Sequence, residues 1–237
     1  MPHLLARSAR FLLALALLLA ATAAGADPMQ FGGRSLDIPP PAGFVPIAAI
    51  SPKLMQTIEA YLPASNRLVE TYTAPADAMV LGAGKPPKMT RYFQLQVMRA
   101  LDGAAVSEKE FQDNTKEMEK GIAQSVRDSE QLDAQIQHGN AAVERTTSVN
   151  PKAAVSGLQY LGMPRREPWG LFFTMQARLT ATGGMDENMV VGGALILVNR
   201  QLLVLGAYAK SNDESNRRWA EQSVSAWADA IRAANSE

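Results

Sequence analysis

The chain has 237 residues, 23 basic and 23 acidic side chains, two histidines and no cysteine. That balance excludes the basic surplus with which nucleic-acid binders neutralise phosphates. Without cysteine the fold rests on its apolar core and not on disulfides, and the length suits one domain behind a leader.

Arg7 and Arg10 precede an unbroken apolar run over residues 11–20, and ATAAGA follows, with Ala24 and Ala26 at the small positions of a cleavage site. This order predicts a secretory signal peptide over 1–26, cut before Asp27, and one domain over 27–237. The apolar stretch is shorter than the roughly 20 residues that cross a bilayer, so no membrane span is expected after cleavage. The expected location is periplasmic or secreted. Removing the leader takes away two arginines and His3, leaving a formal charge of −2 and His138 as the single histidine. That inventory excludes the usual His/Cys zinc site and the Cys-His nucleophile systems, and no metal or cofactor is expected.

Along the mature chain, residues 30–38 read as a short strand ended by Pro39. Ser51-Pro52 opens a helix closed by Pro63. Residues 67–73 read as a strand, and the Ala/Gly/Pro-rich stretch 74–88 as a loop. Residues 90–101 alternate strongly, with Phe93, Leu95 and Val97 on one face and Tyr92, Gln94 and Gln96 on the other. Ser107 and Glu110 form a capping box for a long helix expected to reach His138 and stop at Gly139-Asn140. Strands are expected over 142–149, 155–163 and 169–179, the last with Trp169, Leu171, Phe173 and Met175 on one face. Residues 189–198 and 202–209 form a hairpin about Asn199-Arg200. A second capping box, Ser211 with Glu214, opens a final helix with Trp219, Ala226, Trp227, Ala230 and Ile231 on one stripe. The pattern predicts an α+β fold: an antiparallel meander with helices packed on it.

Few motifs carry chemistry. Gly82-Ala83-Gly84-Lys85 lacks the Ser/Thr and helix of a phosphate loop, since Pro86-Pro87 follow. Met185 to Asn188 reads as a hairpin turn. His138 is expected at a helix end, favoured by the dipole there. The candidate ligand-binding patch is Arg165-Arg166-Glu167-Pro168-Trp169, where two guanidiniums beside a ring could take an acidic group or stack.

From Thr90 onward the element order resembles the PsbP-like fold of photosystem accessory proteins and small secreted bacterial domains. The features are RYFQLQV leading to SEKEFQDNTKEMEKGI, and LLVLGAYAK running into a Trp-bearing last helix. The resemblance implies a PsbP-like sandwich and a non-catalytic accessory or binding role, and it brings no site residues. The sequence therefore points to a periplasmic module binding an unknown protein or a small acidic ligand. The alternative is a carboxylate-dependent hydrolase of cell-wall glycan, with Glu70, Asp102 and Glu144 as candidate acids. Intact mass of the protein from a periplasmic fraction is expected to begin at Asp27. Recovery from the membrane pellet with residues 1–26 retained would contradict the leader.

Overall fold

The computed structural model describes residues 28–126, 129–148 and 150–236; the leader read over 1–26 lies outside them. Strands β3 (Val45–Pro46), β4 (Asn66–Thr73), β5 (Arg91–Met98), β6 (Ala154–Glu167), β7 (Gly170–Ala181), β8 (Met185–Val198) and β9 (Gln201–Lys210) form one seven-stranded sheet. Its order is β3-β4-β5-β9-β8-β7-β6 and every pair is antiparallel. Helices α1 (Pro52–Ala60), α2 (Pro75–Gly82), α3 (Glu108–Ser125), α4 (Ser129–Thr147) and α5 (Glu214–Ala234) complete an α+β fold, with β6 to β9 as its meander. Among the described residues no helix is long and apolar enough to cross a membrane.

The first face of the sheet carries the main core. Phe93, Leu95, Val97, Phe172, Ala194, Ile196, Leu203 and Leu205 point to it, and all are buried against α5 and the N-terminal segment. Alternation puts every second residue of each strand on this face, and Val224, Trp227, Ala228 and Ile231 of α5 meet them. Trp227 packs edge-on against Tyr72 and Phe93, and its indole N–H donates to the Pro39 carbonyl at 2.8 Å. The buried stripe of α5 is Ala220, Val224, Trp227, Ala228 and Ile231, spaced as one helix face demands. Ala226 and Ala230, expected on that stripe, are exposed.

Several expectations are corrected. Residues 30–38 form two short strands, β1 (Met29–Phe31) and β2 (Arg34–Leu36), paired as a hairpin. It turns at Gly32-Gly33, both at positive φ. Stretch 74–88 contains α2, opened by Pro75; Asp77 then accepts from the amides of Lys88 and Met89 and closes the following loop. The expected long helix corresponds to two, α3 to Ser125 and α4 from Ser129 through Gly139-Asn140 to Thr147, the latter taking in most of the strand expected over 142–149. His138 is thus an exposed mid-helix residue. Gly139 is no stop. A Cβ there would lie 2.4 Å from the Tyr61 ring, so the missing side chain makes room for a helix contact. Asn140 Oδ1 accepts from Tyr61 Oη and Ala153 N, and its Nδ2 donates to Ala153 O. The cap of α5 is Asp213, which accepts from Asn216 N; Ser211 sits at positive φ and donates to the Asp213 carboxylate.

Helix α5 and strand β8 meet at a close backbone seam. A Cβ on Gly192 would lie 2.4 Å from the Ala220 carbonyl oxygen and 2.6 Å from its carbon. Those are backbone atoms and cannot swing aside. Gly192→Ala is expected to cost about 1–3 kcal/mol by overpacking, read as a lowered denaturation midpoint. At Gly193, facing the other way, the added methyl meets the Phe173 ring, a side chain that can rotate. Gly193→Ala is expected to cost less, and equal losses for the two variants would contradict this seam.

Candidate functional site

The Arg165–Trp169 patch lies at the β6–β7 turn, and the structure sends its two arginines to different elements. Arg165 makes a two-pronged pair with Asp229 of α5, at 2.8 and 2.9 Å, and a third bond to Glu167. Arg166 pairs with Glu119 of α3 at 2.7 Å. Trp169 is only 6% exposed, in the main core, so its ring is a packing element. It shares that cluster with Phe172, while Leu171 turns to the opposite face; the stripe expected for this strand therefore begins at Leu171. The Arg165 and Arg232 guanidiniums stand over Trp169 at 5.3 and 4.6 Å from its centroid. With Glu167 and Asp229 included, the corner is formally neutral. It clasps the hairpin to α5, each exposed ion pair contributing about 0–1 kcal/mol.

The three candidate acids hold separate posts. Glu70 is 7% exposed, and its Oε1 accepts from the amides of Ile47, Ala48 and Thr71. Burial raises its pKa against the pull of those bonds. Asp102 takes two bonds from Arg67. Glu144, on α4, accepts from Asn150. Among the described residues no three Asp, Glu, His or Cys side chains cluster as a metal site would require.

The second face of the sheet is built differently. Its register places three rows across β7, β8, β9, β5 and β4. The lowest is Leu171, Leu195, Val204, Gln96 and Leu68; the middle is Phe173, Gly193, Gly206, Gln94 and Thr71; the upper is Met175, Val191, Tyr208, Tyr92 and Thr73. Helix α3 covers the lower end, packing Phe111 and Met118 with Leu171, Leu195, Leu197 and Leu202. Helix α4 runs on from there to its ties with Tyr61 after α1 and Ala153 before β6. Between these covers Phe173, Met175, Val191, Val204, Tyr92 and Tyr208 are only half-buried.

Gly193 and Gly206 are register partners, and the rings above them use the space. A Cβ on Gly193 would be 2.2 Å from the Phe173 ring, and one on Gly206 2.5 Å from the Tyr208 ring. Tyr92 stacks on Tyr208 with ring centroids 4.7 Å apart and planes 2° from parallel. Beside the rings runs an amide relay: Asn66 Nδ2 donates to Gln96 Oε1, and Gln96 Nε2 to Gln94 Oε1. Gln94 and Gln96 are 5% and 6% exposed. The buried hydroxyls of Thr71 and Thr73 have no partner, and orphaned buried polar atoms are uncommon enough to ask for an occupant or a water. Burial pushes the Tyr208 phenol up to about 12, and burial with the neighbouring Tyr208 and Glu187 raises Tyr92 further. Both stay neutral at physiological pH. The sequence named Tyr92, Gln94 and Gln96 only as the outer face of a strand; strand order and register, which join them to Phe173 and Tyr208, carry no local signal.

A concavity of about 500 Å³ lies between α1 and α4, lined by Lys53, Gln56, Thr57, Ala60, Ala142, Val143 and Thr146. It offers one cation and no ring.

No family model and no curated protein matches the chain. Among the solved structures it is similar to are two at 13% identity each. A point mutant of the protein Mog1 covers 87% of this chain and 89% of its own at a TM-score of 0.29. The Saccharomyces cerevisiae Ran-binding protein Mog1p covers 87% and 88% at 0.26. Likeness at this level carries no argument about function.

Proposed function

We propose that the chain is an exported, non-catalytic binding or accessory module of the periplasm, and that it binds on the open second face of its sheet. The leader pattern over 1–26 supports export, and the PsbP-like element order supports an accessory role. One observation carries the choice of surface. The first face is sealed, with its central residues at 0–2% exposure, while the second keeps aromatic and apolar side chains half-buried beside a buried amide relay. Ligand sites have this make-up, largely apolar and aromatic with a few placed polar groups.

The other expected site, an acidic-ligand patch at Arg165, Arg166 and Trp169, has its cations engaged by Asp229, Glu167 and Glu119. A ligand there has to displace a carboxylate before it gains one. The hydrolase reading needs two acids facing one space, and Glu70, Asp102 and Glu144 each answer to different partners.

The test is recovery of a bound species. Wild type and Val191→Arg, which sets a long cation on the open face, are purified from periplasm and compared by native mass spectrometry. The wild type is expected to carry a ligand or partner that is released chemically unchanged, and Val191→Arg is expected to lose it while keeping its denaturation midpoint. Equal recovery by both proteins, or conversion of the species by the wild type, would overturn the reading.

A further inference from the structure

We propose that the open face recognises a neutral saccharide, one sugar ring lying against the Phe173–Tyr208 surface with its hydroxyls toward the Gln94–Gln96 relay; this rests on the binding reading above. Three features of the site select that chemistry.

The first is charge. None of the residues in the three rows is Asp, Glu, Lys or Arg. The charges beyond Tyr208 and Val191 on the same strands, Lys210 and Glu187, are already paired with each other, so a carboxylate, phosphate or ammonium group brought onto these rows would lose water and gain no free counter-charge, which is costly. The two tyrosines bring no charge either, since desolvation raises both phenols above an ordinary value that already lies well above neutral pH.

The second is shape. Gly193 and Gly206 adjoin across β8 and β9, and the rings of Phe173 and Tyr208 occupy the space a Cβ would take above them. Tyr92 lies parallel to Tyr208. The result is a low aromatic surface on a flat floor, suited to a ring that presents C–H groups to a π face.

The third is the hydrogen-bonding edge. The relay runs in one sense, from Asn66 through Gln96 to the Gln94 carbonyl, and Gln94 Nε2 donates to no described residue. A primary amide both donates and accepts, and so do the Tyr92 hydroxyl and the Tyr208 hydroxyl, the latter already joined to the Gln96 amide. Sugar hydroxyls are matched to such groups, each able to give one bond and take others. A purely aromatic ligand would stack equally well but would leave the relay's end unanswered. The unpartnered Thr71 and Thr73 hydroxyls lie at this same polar end.

The experiment is a titration followed by the side-chain NMR signals of Phe173, Tyr92 and Tyr208 in the folded mature chain. The probes are maltotriose and N,N′,N″-triacetylchitotriose, with trigalacturonate as the acidic comparison and periplasmic extract as a fourth arm. At least one neutral trisaccharide is expected to shift all three rings, with affinity unchanged between about 50 and about 300 mM salt, because no ion pair is there to be screened. Gln94→Leu is expected to weaken it roughly tenfold in a chain that still folds, with a lowered denaturation midpoint because the buried Gln96 amide loses its acceptor, and the sugar is expected back intact. Shifts with trigalacturonate alone, abolished by salt, would overturn the proposal. If the extract moves these rings and neither neutral sugar does, the saccharide is wrong and the binding face stands. If no arm moves them, both fall.

Discussion

The backbone contact between α5 and β8 at Gly192 governs the architecture. Ala220 of the helix approaches the strand so closely that no side chain fits between them. That distance lets Val224, Trp227, Ala228 and Ile231 reach the strands beneath, and lets Trp219 and Trp227 lie edge-on to Phe93. Removing apolar surface from water is the dominant favourable term in folding, at about 25 cal/mol per Å². Most of the large buried side chains lie on this one side. The N-terminal segment closes the same core: Pro39 takes the Trp227 N–H, and Asp37 exchanges two bonds with Asn235 at the end of α5.

A core concentrated on one face frees the other from having to be sealed. The meander supplies a continuous sheet whose second face is covered by α3 at one end and bounded by α4. Its centre can then hold glutamines, tyrosines and paired glycines that would weaken a core. The long edge strand β6 is guarded by register shifts against β7 and by glycines at positive φ, Gly157 and Gly162. Bulges of this kind blunt an edge against pairing with another chain. This edge of the sheet is thus guarded, while the second face is covered by α3 at one end only.

The readable parts of the sequence were those with local signals. The hairpin about Asn199-Arg200, the capping box of Ser107 with Glu110 and the alternation in β5 all appear where expected. Failures came where one residue type serves two ends. Gly139 signals a helix stop, yet its lack of a side chain admits Tyr61. The β-branched residues of 142–149 suggest a strand, yet Val143 is buried as part of the inner face of α4. In β7 both Leu171 and Phe172 are buried, on opposite faces, so simple alternation misassigns Trp169. The charged patch at Arg165 attracted notice by composition, but the fates of its cations were set by Asp229 and Glu119, which are distant in sequence. The open face was least legible, since it is assembled from β4, β5, β7, β8 and β9 by register alone.

The central claim is that one face of this sheet is sealed and the other open. Hydroxyl-radical footprinting of the folded protein, with oxidation mapped residue by residue by mass spectrometry, tests it most directly. Aromatic residues of similar reactivity sit on both sides, so the comparison is internal. The account predicts strong labelling of Tyr92, Tyr208 and Phe173 and protection of Tyr72, Phe93 and Trp227. Equal protection of the two sets would mean that the second face is covered in solution and would contradict the account.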